Sequence, residues 1–196
     1  FVQQSVIWQM GLDDWAQAIS SMEQAHQIAI GDDRISERLL MLYDHVGEMD
    51  KARVLLNSLP HTWRWRQLAG DLARKAHEIE HAIACYDEAL ELLEQKLDTL
   101  HNPIVRNIMG MIVGSRAEAH LEAGHLIEAE RDFRTTADVF PTDLSYSLSV
   151  GITLARQNRL DEAVSLCQSI LKDEPSLAVN LQNTAGIQPL LERLGL

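Results

Sequence analysis

Apolar side chains recur three and four positions apart through long stretches of this chain, and polar residues fill the positions between them. This spacing places the apolar side chains on one face of an α-helix. The strict alternation of apolar and polar residues that is typical of half-buried strands is scarce. The pattern therefore predicts an all-α protein built from amphipathic helices.

The helices form an internal repeat that five alanines mark. Each alanine has an apolar residue three positions before it and an apolar or aromatic residue four positions after it. Five positions before it lies a residue type that tolerates left-handed backbone, as needed where one helix ends and the next begins. The alanines are Ala18, Ala52, Ala82, Ala129 and Ala163, and the turn residues are Asp13, Gly47, His77, Gly124 and Asn158. We expect two helices to approach closely at each alanine.

The residues Ser147, Val150, Gly151 and Leu154, followed by Ala163, Cys167 and Pro175, fit the pattern W-x2-L-G-x2-Y…A-x3-F…P. The chain thus resembles the tetratricopeptide repeat family, whose unit is a 34-residue helix–turn–helix. Trp65, Leu68, Ala69 and Leu72 give a second match, whereas Arg116 falls where the pattern has an apolar residue. The resemblance implies one right-handed solenoid domain over residues 1–196. Its approximate repeats are 1–31, 32–60, 61–101, 102–141 and 142–175, and a capping helix covers 176–196.

Two intervals between the alanines depart from 34 residues. The interval from Ala52 to Ala82 is 30 residues, and Pro60 should shorten the helix that contains Ala52. The interval from Ala82 to Ala129 is 47 residues, and its extra residues keep the helical period. Asn102 followed by Pro103 is typical of a helix start. We therefore expect one hairpin of two long helices that protrudes beyond its neighbours.

The two ends of the chain carry separate expectations. A closing helix should pack Leu177, Val179 or Leu181 on the last repeat, and Pro189 should kink or restart it. We expect the first helix of the first repeat to be cut short at Phe1, and the segment 1–12 is rich in apolar residues with little charge. We expect further chain or a partner to cover that segment.

The net charge disfavours two classes of partner. The chain has 29 acidic and 17 basic residues, a formal net charge of −12. Such a surface disfavours binding to nucleic acids and to anionic membranes, both of which are negative. No apolar run approaches the ~20 residues of a membrane span. No signal segment is recognisable, which predicts a cytoplasmic protein.

One short motif suggests a metal site. Residues 77–81 read H-E-x-x-H, the zinc protease motif, which needs both histidines on one helical face. In the repeat register, His77 occupies a turn and His81 the following helix, so we disfavour a metal site here. Cys85 and Cys167 lie on helix faces and are expected to be small buried side chains. With no glycine-rich nucleotide motif or hydrolase motif either, we predict a protein that is not an enzyme and has no cofactor.

The segment from His61 to Arg66 alternates tryptophan and arginine. Such a segment could stack on bases or bind an acidic peptide. The alternative that we favour places Trp65 in the core, lays Trp63 over a neighbouring helix and leaves the arginines solvated.

The resemblance also implies where a partner would bind. In this family the first helices of successive repeats line a concave groove that receives a peptide or a helix. The groove residues are then Arg38, Met41 and His45 in the second repeat, Arg66, Gln67 and Arg74 in the third, Glu118 and Glu122 in the fourth, and Ser149, Ile152 and Arg156 in the fifth. A solvated polar face is the alternative for each of them. The front of this groove is basic and the fourth repeat acidic, which favours an acidic or bipolar partner segment.

These observations predict a non-catalytic protein–protein interaction scaffold or adaptor. Its partner would bind in the groove or on the long hairpin formed by the third and fourth repeats. The alternative is a regulatory or substrate-recruiting arm of a larger enzyme or transcription regulator. A homo-oligomer is a further possibility for an array of this kind.

Overall fold

The computed structural model describes residues 14–96 and 102–196, except for the side chain of residue 96. Within these residues all regular structure is helical, and no β-strand occurs. The described residues up to His61 form one compact unit, and those from Thr62 onward form a second. The apolar opening segment 1–12 and the turn residue Asp13 lie outside the described residues.

The first unit contains the helices α1 (Trp15–Ile28), α2 (Asp33–Val46) and α3 (Met49–Ser58). Aspartate side chains cap the first two helices: Asp14 accepts from the backbone N–H of Gln17, and Asp32 from that of Arg34. Helix α3 has only 10 residues and ends before Pro60. The shortening predicted from Pro60 is confirmed.

The second unit contains the remaining helices in order. They are α4 (Trp63–Lys75), α5 (Ile79–Lys96), α6 (Pro103–Ala123), α7 (Leu126–Val139), α8 (Leu144–Arg156), α9 (Leu160–Asp173), a 3-10 turn (Pro175–Leu177), α10 (Ala178–Gln182) and α11 (Gln188–Leu194). Consecutive helices pack as antiparallel hairpins, with α4 on α5, α6 on α7 and α8 on α9. These pairs correspond to the third, fourth and fifth sequence repeats.

The repeat positions form the core of both units. Each marker alanine is at most 1% exposed. The residues four positions later are also buried: Met22, Leu56, Tyr86, Phe133 and Cys167. In the last hairpin the helices are so close that a Cβ on Gly151 of α8 would lie 2.5 Å from Cys167 Sγ. The close approach predicted from the small alanines is thereby confirmed.

The turns before the second helices have the backbone that their residue types predict. Gly47 and Gly124 have φ angles of 79° and 81°. His77 and Asn158 have φ angles of 60° and 64°, and they are the only described residues other than glycine with a positive φ. All four described turn residues are therefore left-handed, as the spacing predicts.

The long hairpin is present. Helix α5 has 18 residues and α6 has 21, compared with 10 to 14 in α1–α4 and α7–α9. Asn102 caps α6, with its side chain accepting from the N–H of Ile104, and Pro103 is the first helical residue. Relative to α8, the eight extra residues of α6 add about 12 Å at ~1.5 Å per residue.

The C-terminal segment is helical, as the sequence predicts, but it is broken at more places than Pro189. It consists of the 3-10 turn, α10 and α11, and the chain between α10 and α11 includes Gly186 with a φ of 80°. Helix α11 restarts with Pro189 in its first turn, as that proline predicts. Leu181 is fully buried against the last repeat, whereas Val179 is 56% exposed.

Candidate functional site: the first-helix face

The residues that the sequence predicts to line a groove in the first unit lie on α2. Met41 is 55% exposed, and Arg38 is half-buried. The His45 ring packs against the Trp15 ring of α1, with 3.9 Å between the ring centroids. The three residues thus offer an exposed thioether and an imidazole that already has an aromatic neighbour.

In the second unit, residues of α4 and α6 meet through ion pairs. The Arg74 guanidinium of α4 binds the carboxylate of Glu118 on α6, and it lies 3.6 Å from a carboxylate oxygen of Glu122. Both glutamates are about half exposed. Burial lowers the pKa of Arg74, but the hydrogen bond and the charge of Glu118 together outweigh it, so the pKa is raised above its ordinary value. The structure therefore brings together the basic and acidic groove residues that the sequence places in separate repeats.

Beneath Arg74 lies a second polar contact within the α4–α5 hairpin. The Tyr86 hydroxyl of α5 donates to the Asp71 carboxylate of α4, at 2.7 Å. Burial is the main cause that raises the pKa of both groups. Sequence reasoning missed Asp71, because the repeat pattern assigns no polar role to its position.

Tyr146 connects α8 to the same face. A Cβ on Gly114 of α6 would lie 3.4 Å from the Tyr146 ring, so α8 packs closely on α6 here. Seven residues before Glu118 on α6 is Met111, which is 54% exposed. Sequence reasoning missed Met111, although a spacing of seven residues, about two helical turns, places it on the same side of α6 as Glu118.

We use the name first-helix face for six residues on the first helices α4, α6 and α8. They are Gln67, Arg74, Met111, Glu118, Glu122 and Ser149. The Ser149 hydroxyl donates to the Ser145 carbonyl oxygen within α8, at 3.1 Å. Gln67 and Ser149 are half-buried and the other four carry exposed atoms.

The other groove residues of the second unit are engaged within the chain. Arg66 lies 3.5 Å from a Glu88 carboxylate oxygen on α5, its own hairpin partner. Arg156 donates to the Ala185 carbonyl oxygen between α10 and α11, at 3.1 Å. Ile152 is only 8% exposed and packs in the core. The expectation that it lines the groove is therefore wrong.

The off-pattern residue Arg116 has a buried partner. Its guanidinium donates to both carboxylate oxygens of Asp132 on α7, at 2.7 and 3.1 Å, and to Asp87 on α5, at 2.6 Å. The Asp132 side chain is 3% exposed. Arg116 thus joins three helices in a position where the repeat pattern has an apolar side chain.

His120 lies one turn further along α6 and is 8% exposed. Its Nδ1 is 3.4 Å from Nδ1 of His125, so one ring donates and the other must accept. Burial lowers the pKa of His120, the nearby charge of Arg116 lowers it further, and Asp132 opposes this shift. The neutral form of His120 is therefore favoured in the folded protein.

This arrangement predicts a stability that depends on pH. Because the folded pKa of His120 lies below its ordinary value, its contribution is complete above about pH 6.5 and is lost as pH falls through the folded pKa. One additional proton on the unfolded chain gives a slope of at most ~1.4 kcal/mol per pH unit. Urea unfolding between pH 7 and pH 5 should show a steeper loss of stability for wild type than for His120→Gln. His81→Gln, on the exposed side of α5, should keep the wild-type slope.

The H-E-x-x-H residues do not share a helix. His77 lies in the left-handed turn and His81 in α5, as the repeat register predicts. His81 Nε2 is 3.8 Å from Sγ of the buried Cys85. Across residues 14–96 and 102–196, no group of three histidine, cysteine, aspartate or glutamate side chains could hold a metal ion.

Both cysteines are reduced and buried. Burial raises the pKa of Cys167 to about 11 and also raises that of Cys85. Their thiols therefore stay protonated near neutral pH and are poor nucleophiles.

The tryptophan and arginine segment is part of the fold. Trp65 is 2% exposed, and Trp63 packs on the core of the α4–α6 region. The Arg64 guanidinium lies 5.7 Å from the Trp65 ring centroid. The core position that we favoured for Trp65 is confirmed.

Among the described helices, none combines the length and apolar character needed to span a lipid bilayer.

Known proteins resemble this chain in structure rather than in sequence. No family model and no curated protein matches the sequence. A tetratricopeptide repeat protein from Parabacteroides merdae superposes with a TM-score of 0.70 at 15% identity, covering 99% of this chain and 72% of the other. YrrB, described as a TPR protein with an unusual peptide-binding site, gives a TM-score of 0.62 at 13% identity, with 90% and 91% covered. MamA gives 0.64 at 16% identity over the same shares of the two chains. Together with the repeat core and its left-handed turns, these likenesses show that the chain has the tetratricopeptide repeat fold.

Proposed function

We propose that this protein is a non-catalytic interaction scaffold that binds a peptide or helical segment of another protein on the first-helix face. The observation that supports this most directly is the meeting of Arg74, Glu118 and Glu122 across two successive first helices, one of which also carries the exposed Met111. Charged groups fix the orientation of a partner, and an exposed thioether adapts to apolar side chains. The likeness to YrrB, a protein with a peptide-binding site, supports the same class of function.

The charges of this face support a bipolar partner segment. The sequence predicts acidic character because arginines line the front repeats. Arg66 and Arg74 both have carboxylate neighbours within the chain, so an acidic side chain of the partner has to compete with Glu88 or Glu118. One arginine and two glutamates leave an excess carboxylate, which favours a basic side chain near Glu122. We therefore propose a bipolar segment whose basic group pairs with Glu122 and whose acidic group displaces Glu118 from Arg74.

The test is a selection of random peptides, displayed on phage, against the immobilised 196-residue chain. Selected peptides should bind the triple variant Arg74→Gln/Glu118→Gln/Glu122→Gln about tenfold more weakly than wild type, because its polar contacts are lost. Fluorescence anisotropy of labelled peptides measures this difference, and circular dichroism checks that the variant keeps its helices.

The matched control is Glu128→Gln/Asp173→Asn, which removes exposed carboxylates from α7 and α9 outside this face. It should bind the selected peptides as wild type does. The proposal fails if no peptide is selected, or if the selected peptides bind the triple variant and wild type equally.

A further inference from the structure

Six residues form a continuous line along one side of α6, the longest helix of the described chain. The residues are spaced alternately four and three positions apart, which is the spacing at which one helix contacts another in a coiled coil. They are Ile104, Ile108, Met111, Ser115, Glu118 and Glu122, and we call this line the α6 seam. Every one of them is exposed or half-buried. The seam therefore offers a second helix a track of about 27 Å at ~1.5 Å per residue.

The first half of the α6 seam is apolar although water reaches it. Ile104 is 68% exposed and Met111 is 54% exposed, and Ile108 between them is half-buried. Large apolar side chains that recur three and four positions apart on a helix normally face a core. Covering them with another apolar surface is favourable, because their contact with water is removed. This half of the seam is therefore an apolar anchor for a partner.

The second half of the α6 seam is acidic where the helix itself disfavours carboxylates. Glu122 lies in the last turn of α6, at the negative end of the helix dipole. Glu118 and Glu122 are four positions apart, the spacing at which like charges on a helix repel. Arg74 is a single guanidinium facing both carboxylates, so these three groups together carry a net negative charge. Choices that cost local stability are expected at functional sites, and a cation from a partner would offset these costs.

We propose that the partner segment is an amphipathic helix that docks along the α6 seam and runs antiparallel to α6. Its apolar side chains lie over Ile104 and Met111, and its basic side chains lie beside Glu118 and Glu122. An acidic residue at the edge of the same helix faces Arg74. This inference rests on the function proposed above and specifies the conformation and direction of its ligand.

The helix dipoles determine the direction. Antiparallel docking places the positive N-terminus of the partner helix beside the negative C-terminus of α6, where Glu122 lies. The partner therefore carries its lysines or arginines in its N-terminal half. Its apolar residues, three and four positions apart, lie in its C-terminal half.

The test uses synthetic peptides of about 20 residues, long enough to follow the seam. The parent peptide has lysines in its N-terminal half and a leucine stripe in its C-terminal half. It should bind the full 196-residue chain and gain helical circular dichroism on binding. A peptide with glutamates in place of the lysines should bind at least about tenfold more weakly. Fluorescence anisotropy measures the affinities at matched ionic strength.

Two further peptides test the conformation and the direction. A proline in the middle of the parent peptide, on the side away from the leucines, breaks a helix and should weaken binding at least about tenfold. A peptide with the leucine stripe first and the lysines last has the same composition in the opposite order. It should bind at least about fivefold more weakly than the parent peptide.

Variants of the protein locate the peptide on the seam. Ile104→Ser/Met111→Ser removes the apolar anchor without a change of charge and should weaken the parent peptide about tenfold or more. Glu118→Gln/Glu122→Gln should bring the lysine and glutamate peptides to within about threefold of each other. The matched control Ile127→Ser/Glu128→Gln makes the same kinds of change at exposed positions of α7. It should leave the affinity of the parent peptide within about twofold.

Several results would overturn this inference. Equal binding of the lysine and glutamate peptides, or unchanged binding in Ile104→Ser/Met111→Ser, would place the peptide on another surface. Equal binding of the parent and reversed peptides would refute the antiparallel direction. A chain that dimerises in sedimentation experiments, and becomes monomeric with Ile104→Ser/Met111→Ser, would assign the seam to a second copy.

Failure of this inference is distinguishable from failure of the proposed function. Phage-selected peptides that depend on Arg74, Glu118 and Glu122 but bind equally well with a central proline would refute the docked helix and leave the proposed function standing. If neither the selected nor the synthetic peptides bind wild type, both proposals fail.

Discussion

Replacing Asp132 with alanine is expected to lower the free energy of unfolding of the Thr62–Leu196 unit by about 3–5 kcal/mol. Its carboxylate is 3% exposed and accepts two hydrogen bonds from Arg116, whose own side chain is 17% exposed. Removing it leaves a largely buried guanidinium with Asp87 as its remaining carboxylate, and Asp87 is half exposed. A half-exposed carboxylate stabilises a cation far less than a buried one does. Urea unfolding followed by far-UV circular dichroism measures the change.

A double variant separates the ion pair from its burial. Arg116→Leu/Asp132→Leu replaces both charges with apolar side chains, and it restores the apolar residue that the repeat pattern has at position 116. Such replacements are often neutral or stabilising, so the double variant should be more stable than Asp132→Ala. If Asp132→Ala loses less than about 1 kcal/mol, the buried charge pair has no strong role in this hairpin.

Arg116 also shows how far the sequence could reach. Its position in the repeat identified it as unusual, because the pattern has an apolar residue there. The sequence could not identify Asp132 as its partner, since that requires knowing which sides of α6 and α7 face each other. The residue after Asp132 is Phe133, a core position, and this adjacency gave no reason to expect a buried carboxylate.

The repeat architecture was predictable because its signals are local. An alanine, its apolar neighbours and a turn residue all lie within ten positions of one another. Each signal corresponds to one backbone requirement, such as the left-handed φ of His77 and Asn158. The restart at Pro189 was predictable because proline is a local signal, whereas the earlier break at Gly186, whose φ of 80° an α-helix does not contain, was not predicted.

The charge of the first-helix face was less predictable. Sequence reasoning placed Arg74 and Glu118 on separate stretches of a groove, one basic and one acidic. The side chains are long enough to meet across α4 and α6, and their pairing removes the separation. Ile152 failed as a groove residue for a related reason: α8 is covered on more than one side, so a position outside the repeat core is buried too.

Replacing Phe133 with alanine is expected to lower the free energy of unfolding by about 3–5 kcal/mol. The ring is 1% exposed and belongs to a core cluster that includes Ala129, Leu148 and Cys167. Truncation removes the burial of the ring and leaves a cavity that helices on both sides cannot fill without moving. The matched control on the same helix is Ile127→Ala, whose side chain is 75% exposed and whose loss should change stability by less than about 0.5 kcal/mol.

Which helices are destabilised by Phe133→Ala is as informative as the size of the change in the free energy of unfolding. In a repeat protein each hairpin depends mainly on its neighbours, so α6, α7, α8 and α9 should lose protection from hydrogen exchange before α1 and α2 do. Hydrogen exchange measured by mass spectrometry on Phe133→Ala and Ile127→Ala resolves these helices. Equal loss of protection in both compact units would mean that they unfold together. Loss confined to α6, α7, α8 and α9 would show that the fourth and fifth repeats respond together to a change in their shared core.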